Sequence, residues 1–251
     1  MLALLLVSSG LGGSAAALAA RVVTTAWSDA FDSYNTSLWL KSDGWTNGAP
    51  FAVGWRADHV SVSGGRMAFQ LDNVPCPSGC SGMPYASGEY RTIDNYGYGH
   101  FETRMQAAAA SGVVSSFFTY TGPTEHPPAP HDEIDVEILG EDPTSVQTNY
   151  FVAGVGGHEV VTPLGFDASQ GFHTYAFDWV PGQITWYVDS VAIRTVQSSS
   201  LPTNPGKVMM NLWAGRGVDA WLGPFQYTGP LHAYYDSAGY TPSGTTKPRG
   251  H

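Results

Sequence analysis

The sequence predicts a single all-β domain, built as a sandwich or a barrel. Short runs rich in β-branched and aromatic residues are separated by clusters of Gly, Pro, Asn and Asp, and helical periodicity is almost absent. A chain of 251 residues fits one large all-β domain, and no segment has the composition of a linker. Many strands at this spacing in one domain indicate two packed sheets or a closed barrel.

Nine runs have the strand pattern most clearly. They cover residues 59–62, 66–71, 100–105, 113–120, 133–139, 146–152, 173–179, 184–188 and 207–212. Asp189 and Ser190 separate the run 184–188 from a further apolar run that begins at Val191, which indicates a hairpin. We expect the tail, about residues 242–251, to be frayed because it is rich in Pro, Gly and Thr.

The first 20 residues have the pattern of a secretory signal peptide. A short apolar run is followed by small residues and by Ala17-Leu18-Ala19, which matches an A-x-A cleavage site, although a basic n-region is missing. A buried N-terminal helix is the alternative. We therefore expect a secreted, extracellular protein whose mature domain covers residues 21–251. No transmembrane run follows in the sequence.

Export favours a disulfide between the two cysteines, Cys76 and Cys80. The intervening Pro77-Ser78-Gly79 favours a turn that brings the two Cα atoms within bridging range. A loop this small stabilises the fold only modestly. Two free thiols in an exposed loop are the alternative.

Composition favours a neutral ligand. The formal net charge is −10 and the eleven Lys and Arg residues are scattered, which disfavours nucleic acid because phosphate binding needs clustered basic residues. Trp and Tyr are plentiful, whereas charged residues make up only 13% of the chain. The apolar faces of sugars lie well on indole and phenol rings. A neutral polysaccharide is therefore a candidate ligand.

Acidic and aliphatic residues alternate strictly over residues 133–138. A strand places Glu133, Asp135 and Glu137 on one face and the aliphatic residues on the other. Like charges on one sheet face are destabilising, so a purely structural strand has no reason to carry them. The Cα atoms of Glu133 and Glu137 are about 13 Å apart on a strand, but their side chains can lean together over Asp135.

This pattern suits the hydrolysis of a glycosidic bond with retention of configuration. Retaining glycosidases hold two carboxyl groups about 5 to 5.5 Å apart, so that one attacks the anomeric carbon while the other protonates the leaving oxygen. Asp135 can hydrogen-bond a neighbour and help to separate the two pKa values. A solvated acidic edge or a divalent cation site is the structural alternative.

The segment Glu133-Ile134-Asp135-Val136-Glu137 matches the E-[ILV]-D-[IVAF]-E signature of family 16 glycoside hydrolases, without the extra residue typical of the laminarinase branch. Other segments resemble bacterial lichenases, the β-1,3-1,4-glucanases, and the likeness runs from about Phe31 to Tyr240. These segments are residues 43–44, 89–91, 115–123, 154–159, 165–167, 171–179, 209–213 and 221–223.

The resemblance implies a concanavalin-like jelly roll of two curved antiparallel sheets, with a substrate cleft on the concave face. It implies Glu133 as nucleophile, Asp135 as its helper and Glu137 as general acid/base, with no cofactor for catalysis. It also implies subsites lined by Asn47, Glu89, Arg91, Phe118, Tyr120, Asn149, Asn211, Trp213 and Trp221. Taken singly, Phe118, Trp213 and Trp221 are as consistent with core packing. A structural calcium ion is implied on the convex side, with Asp236 as its side-chain ligand.

Departures from the lichenase pattern lie at the cleft. His131 stands where lichenases usually carry Trp, and the Pro-rich loop 124–130 before it is slightly longer. Trp45 and Phe151 replace tyrosines. The family's disulfide positions are Val53 and Ser87. We expect His131 to contact sugar or to tune a neighbouring carboxylate.

The expected protein is a monomeric endo-β-glucanase that cuts β-1,4 bonds in mixed-linkage β-1,3-1,4-glucan such as lichenan and cereal β-glucan. The alternatives are a β-1,3-glucanase, a xyloglucan-active hydrolase or transglycosylase of the same family, and a non-catalytic glucan-binding module. A binding module would not need the acidic face, whereas the motif does not separate hydrolysis from transfer to another sugar.

Overall fold

The structure is a computed structural model that describes residues 21–74, 76, 78–123 and 129–244. The predicted signal peptide, residues 1–20, lies outside the described residues, as do residues 245–251 of the predicted frayed tail and residues 124–128 of the Pro-rich loop. No helix among the described residues is long and apolar enough to cross a membrane.

Nearly all of the regular structure in the described residues is β-structure. The strands are β1 Val22–Val23, β2 Trp27–Asp29, β3 Trp39–Lys41, β4 Val53–Trp55, β5 Val60–Ser63, β6 Arg66–Leu71, β7 Tyr85–Ser87, β8 Glu89–Thr92, β9 Asn95–Tyr96, β10 Gly99–Gln106, β11 Val113–Thr121, β12 Asp132–Leu139, β13 Ser145–Phe151, β14 Val160–Pro163, β15 His173–Val180, β16 Gln183–Val188, β17 Val191–Gln197, β18 Lys207–Ala214 and β19 Leu231–Pro242. A 3-10 turn spans Ala57–His59, and a short helix, α1, spans Asp219–Leu222. The prediction of an all-β domain is confirmed.

Two antiparallel sheets form the sandwich. The first, called the cleft sheet here, has the strand order β14-β13-β12-β11-β18-β8-β3. The second, called the outer sheet, has the order β17-β16-β15-β10-β19-β6-β5, with β2 beside β19. Two short parallel pairs, β1 with β9 and β4 with β7, lie outside these sheets. Strands distant in sequence are neighbours in both sheets, as a sandwich with long crossovers requires.

The predicted hairpin is confirmed, and its turn explains the register of β16 and β17. Asp189 and Ser190 have φ angles of 46° and 67°, as the two central residues of a type I′ turn require. Val188 consequently pairs with Val191. At the other end of the domain, Pro242 pairs with Gly99 as the last residue of β19, so the strand extends one residue into the segment predicted to be frayed.

The core between the sheets supports the strand that carries the acidic motif. Phe117 of β11 packs on Phe177 of β15, with ring centroids 5.7 Å apart. The Trp186 indole N–H, from the outer sheet, donates to the backbone carbonyl of Asp135 at 3.0 Å. Tyr235 donates its hydroxyl to the carbonyl of Ser116 at 2.8 Å. These bonds join the outer sheet to the backbones of β12 and β11 directly beneath the acidic residues.

The predicted disulfide between Cys76 and Cys80 is present, with the two Cα atoms 5.2 Å apart. Its loop packs closely on β4, because a Cβ atom at Gly54 would overlap the backbone carbonyl of Cys80. The next residue of that strand, Trp55, donates its indole N–H to Asn47 Oδ1 at 2.5 Å. The bridged loop therefore supports the segment that brings Asn47 to the cleft.

Candidate active site

The acidic motif lies in the middle of the cleft sheet, and its side chains share one face with residues of the neighbouring strands. Glu133 pairs with Phe151 and Tyr120, Asp135 with Asn149 and Phe118, and Glu137 with Gln147 and Ser116. Residues directly opposite each other in an antiparallel ladder lie on the same face. The three acids and their partners therefore form three parallel rows across the sheet.

These rows form part of a cleft of about 790 Å³. The residues predicted for the site that line it are Glu133, Asp135, Glu137, Asn47, Glu89, Phe118, Tyr120, His131, Asn149, Asn211, Trp213 and Trp221. Arg91 is not among the lining residues, and its guanidinium lies 5.6 Å from the ring centroid of Trp45, which does line the cleft. Arg91 is paired with Met209, which lines the cleft, and therefore lies at the edge of the cleft in contact with the wall that Trp45 forms.

Some lining residues were not assigned to the site from the sequence. These are Pro50, Phe51, Gln147, Glu159 and Met209, and Trp45 and Phe151 were noted only as departures from the lichenase pattern. Gln147 could have been found, because it lies two residues before Asn149 on a strand and shares its face. Glu159 lies in the loop after β13, where the sequence has no strand or helix periodicity from which its position could be predicted. In the structure it accepts a hydrogen bond of 3.3 Å from Asn149.

Glu133 is contacted from both sides along its own chain. His131 Nε2 lies 2.5 Å from Glu133 Oε2, and Asp135 shares a hydrogen bond with Glu133. Asp135 is only 5% exposed. Its burial, with the negative charges of Glu133 and Glu137, raises the pKa of Asp135 well above its usual range. This shift favours the protonated form of Asp135, which can donate a hydrogen bond to Glu133.

Burial raises the pKa of Glu137 to about 7, and the charges of Glu133 and Glu159 act in the same direction. The amide of Gln147 acts in the opposite direction because it donates a hydrogen bond of 2.6 Å to Glu137 Oε2. The Trp221 indole, which can only donate, bonds Gln147 Oε1 at 3.0 Å. This bond directs the NH₂ group of Gln147 toward Glu137.

A second polar cluster lies at the floor of the cleft around Glu89, which is 1% exposed. Its two carboxylate oxygens accept hydrogen bonds from Ser42 at 2.6 Å and from Asn211 at 3.2 Å. Asn211 in turn accepts a bond from Ser116 at 2.5 Å. The cluster joins β8, β18 and β11 and keeps buried polar groups satisfied.

Aromatic side chains form the end of the cleft near α1. Trp221 is 39% exposed, whereas Trp213 is 4% exposed and packs against Phe51 with ring centroids 4.3 Å apart. Trp213 and Trp221 lie 5.9 Å apart. The indole of Trp221 is therefore the ring whose surface is open to a sugar, and Trp213 belongs mainly to the support beneath it.

The side chains around Asp236 do not favour the calcium ion implied there. The Asp236 carboxylate forms an ion pair with Arg104, so a cation would have to compete with a guanidinium for its ligand. Among the described residues, no group of three or more His, Cys, Asp or Glu side chains is arranged to hold a metal. The calcium site stays a prediction.

The site therefore holds Glu133, Asp135 and Glu137 on one face of a strand, with the pKa of Glu137 raised to about 7, in an open cleft with an exposed aromatic ring. This combination is what acid-assisted cleavage of a glycosidic bond needs. The fold and the cleft together define the class of the protein as a glycoside hydrolase.

Comparison with known proteins gives the same class. Residues 47–229 match the model of glycosyl hydrolases family 16. The chain is 48% identical over 214 residues to a β-glucanase of Bacillus subtilis (strain 168), covering 85% of each chain. A lichenase structure derived from a mouse hindgut metagenome superposes with a TM-score of 0.82 at 44% identity, over 87% of this chain and 99% of that one. A β-glucanase of Bacillus licheniformis superposes with a TM-score of 0.80 at 47% identity, over 86% and 97%.

The chain belongs to glycosyl hydrolase family 16. The jelly-roll sandwich implied by the resemblance of the sequence is thereby confirmed, as is the assignment to the lichenase-like branch.

Proposed function

We propose that the protein is a secreted endo-β-glucanase that hydrolyses β-1,4 bonds in mixed-linkage β-1,3-1,4-glucan with retention of configuration. The single observation that carries the proposal is the pair of carboxyl groups on β12, since Glu137 has its pKa raised to about 7 beside Glu133 in the open cleft. The names of the relatives, β-glucanase and lichenase, support the substrate class. The signal-peptide pattern of residues 1–20 and the disulfide support secretion.

In the first step, a carboxylate oxygen of Glu133 attacks the anomeric carbon while the bond to the leaving oxygen breaks. Glu137 donates its proton to that oxygen, so that the departing sugar leaves as a neutral alcohol. The product on the enzyme is a glycosyl ester of Glu133. Asp135, whose raised pKa favours its protonated form, donates a hydrogen bond to Glu133 and stabilises the charge that this carboxylate carries before the attack.

In the second step, Glu137 removes a proton from a water molecule that attacks the anomeric carbon from the side the leaving group vacated. The ester bond breaks, and Glu133 regains its negative charge. Formation of the ester removes the charge of Glu133, which is one of the causes that raise the pKa of Glu137. The pKa of Glu137 therefore falls in the intermediate, and the same group changes from acid to base. No step uses a cofactor.

The walls of the cleft provide the basis for substrate choice. A mixed-linkage chain is kinked where a β-1,3 bond precedes the β-1,4 bond to be cut, whereas a uniform chain would misplace its sugars on rings such as that of Trp221. Trp45 and Phe151 line the cleft and depart from the lichenase pattern. The substrate preference is consequently the most informative test of the proposal.

We expect lichenan and barley glucan to be degraded much faster than laminarin, carboxymethyl-cellulose or xyloglucan. The measurement is kcat/KM for each polymer, from the release of reducing ends by the purified mature chain. A higher value for laminarin or xyloglucan would leave the retaining mechanism in place and overturn the mixed-linkage assignment. Binding of lichenan without release of reducing ends would instead indicate a glucan-binding module.

The pH dependence of hydrolysis should follow the protonation of Glu137. Because the acid must be protonated, kcat/KM on lichenan should fall as the pH rises through about 7. The Gln147→Met variant removes the hydrogen bond that lowers this pKa, so the alkaline limb should move to higher pH. The pH profiles of the two proteins are compared directly. An unchanged limb in a folded Gln147→Met protein would show that Glu137 is not the group that titrates.

A further inference from the structure

His131 immediately precedes β12 and lies against the carboxylate of Glu133. Its Nε2 atom is 2.5 Å from Glu133 Oε2, which is hydrogen-bond distance. The imidazole stacks on Phe151, with ring centroids 4.9 Å apart and an angle of 15° between the planes. Tyr120 packs against the ring at 5.1 Å. The side chain is 30% exposed, so most of its surface is used in contacts with protein.

The backbone around His131 is held as firmly as the ring. The carbonyl of His131 accepts a bond of 2.7 Å from the N–H of Gly154. The next residue, Asp132, is buried and accepts bonds from the N–H groups of Ala153 and Thr203, each at 3.0 Å. The loop after β13 and the loop between β17 and β18 therefore fix the backbone that carries the imidazole, independently of Glu133.

A glutamate side chain has several rotatable bonds, and attack requires one of its oxygens to be aimed at the anomeric carbon. Errors of about 1 Å in such an arrangement can reduce a rate by about 100-fold. An imidazole that is fixed by its own contacts and bonded to one oxygen removes most of this freedom. His131 is well placed to do so because it approaches Glu133 from the side opposite to Asp135 along the chain.

We propose that His131 is a positioning residue for the nucleophile. Its Nε2–H donates to Glu133 Oε2 and holds the carboxylate so that Oε1 is the attacking atom. In the glycosyl ester, Oε2 is then the carbonyl oxygen and still accepts the same hydrogen bond. This inference rests on the proposed role of Glu133 as nucleophile, and it replaces a sugar-contacting role for His131 with one that acts through Glu133.

Two variants separate the aromatic ring of the imidazole from its N–H donor. His131→Phe keeps an aromatic ring to stack on Phe151 but has no donor. His131→Gln keeps an N–H donor at about the position of Nε2 but has no ring. His158 offers a matched control, since it also stacks on a ring of the cleft sheet, that of Tyr150 at 3.9 Å, and does not line the cleft. His158→Phe measures the general cost of this replacement.

The experiment follows formation of the covalent adduct with a 2-deoxy-2-fluoro β-gluco-oligosaccharide that carries a dinitrophenyl leaving group. Such a leaving group needs little protonation, so the rate reports attack by Glu133 and depends little on Glu137. Intact mass gives the maximal rate of labelling and the inhibitor concentration for half-maximal rate. Peptide mapping of the adduct in the unaltered protein tests the role of Glu133 separately.

We expect His131→Phe to lower the maximal labelling rate about 10- to 100-fold, with little change in the half-maximal concentration. His131→Gln should recover most of the rate, and His158→Phe should label at nearly the rate of the unaltered protein. Thermal unfolding of each variant identifies any loss that comes from the fold. If His131→Phe does not fold, His131→Met, which also has no donor, takes its place.

A higher half-maximal concentration at an unchanged maximal rate would show that His131 binds sugar, and the proposal would be wrong. Equal loss of rate in folded His131→Phe and His131→Gln proteins would also overturn it, because the donor would then not be the property that matters. Failure of the unaltered protein to label on Glu133 would contradict the proposed function itself.

Discussion

Replacing Glu133 with Gln should abolish nearly all hydrolysis of lichenan, lowering kcat by several orders of magnitude. The amide has almost the same shape as the carboxylate, so Tyr120 and Phe151 keep their packing around it. It carries no charge and is not a nucleophile, and no glycosyl ester forms. The loss appears in kcat, measured at saturating substrate, because the reaction has lost its first covalent step.

Glu159→Gln is the matched control for this variant. Glu159 also lines the cleft, and its replacement with Gln exchanges a carboxylate for an amide in the same way. Glu159 lies outside the acidic motif and accepts a hydrogen bond from Asn149. It should retain far more activity than Glu133→Gln. Unfolding temperatures of both variants close to that of the unaltered protein would show that the fold survives. Appreciable hydrolysis by purified, folded Glu133→Gln protein would contradict the assignment of Glu133 as nucleophile.

Replacing Glu137 with Ala should separate substrates by their leaving groups. Natural glucan, whose leaving group is a sugar alcohol, needs the proton of Glu137 and should be cut very slowly. Aryl glycosides with good leaving groups should still form the glycosyl ester, since their departure requires little protonation. The ester should then accumulate, because no base activates the water of the second step.

Azide should restore turnover of the aryl glycosides by Glu137→Ala, because a small anionic nucleophile needs no base and fits the space left by the carboxylate. The measurements are the burst of phenol release, the steady-state rate with and without azide, and the structure of the glycosyl azide formed. Equal loss of aryl glycoside and glucan activity, with no response to azide, would show that Glu137 is not the acid/base.

Strand prediction succeeded for most of the longer strands, although β19, the longest at Leu231–Pro242, was not predicted. β6, at Arg66–Leu71, has the bounds predicted from the sequence, and β12 begins one residue before its predicted start. Of the strands of two to four residues, β5 was predicted, whereas others such as β4 and β8 were not, because they show hardly one full alternation. These strands exist because β7, β18 and β3 supply their hydrogen bonds.

Site residues on a strand with a clear period could be predicted from that period, whereas those on loops could not. Gln147 was not predicted, although it shares a strand face with Asn149 and the period of two was sufficient to find it. Glu159 comes from a connection, and Arg91, implied by the resemblance, contacts the cleft-lining ring of Trp45 without lining the cleft itself. The position of a side chain relative to a cleft depends on the other strands of the sheet, about which a local pattern contains no information.

The alternation of residues is enough to place Glu133, Asp135 and Glu137 on one face of a strand, because the alternation of side chains is a local property of extended backbone. The shifts of their pKa values, and the contacts that hold Glu133, depend on how the rest of the chain packs around this strand. The pKa of Glu137 depends on burial, on the charge of Glu159 and on an amide oriented by Trp221. These groups are distant in the chain and meet at the cleft because packing of the two sheets brings them there, and electrostatic effects follow distance in space.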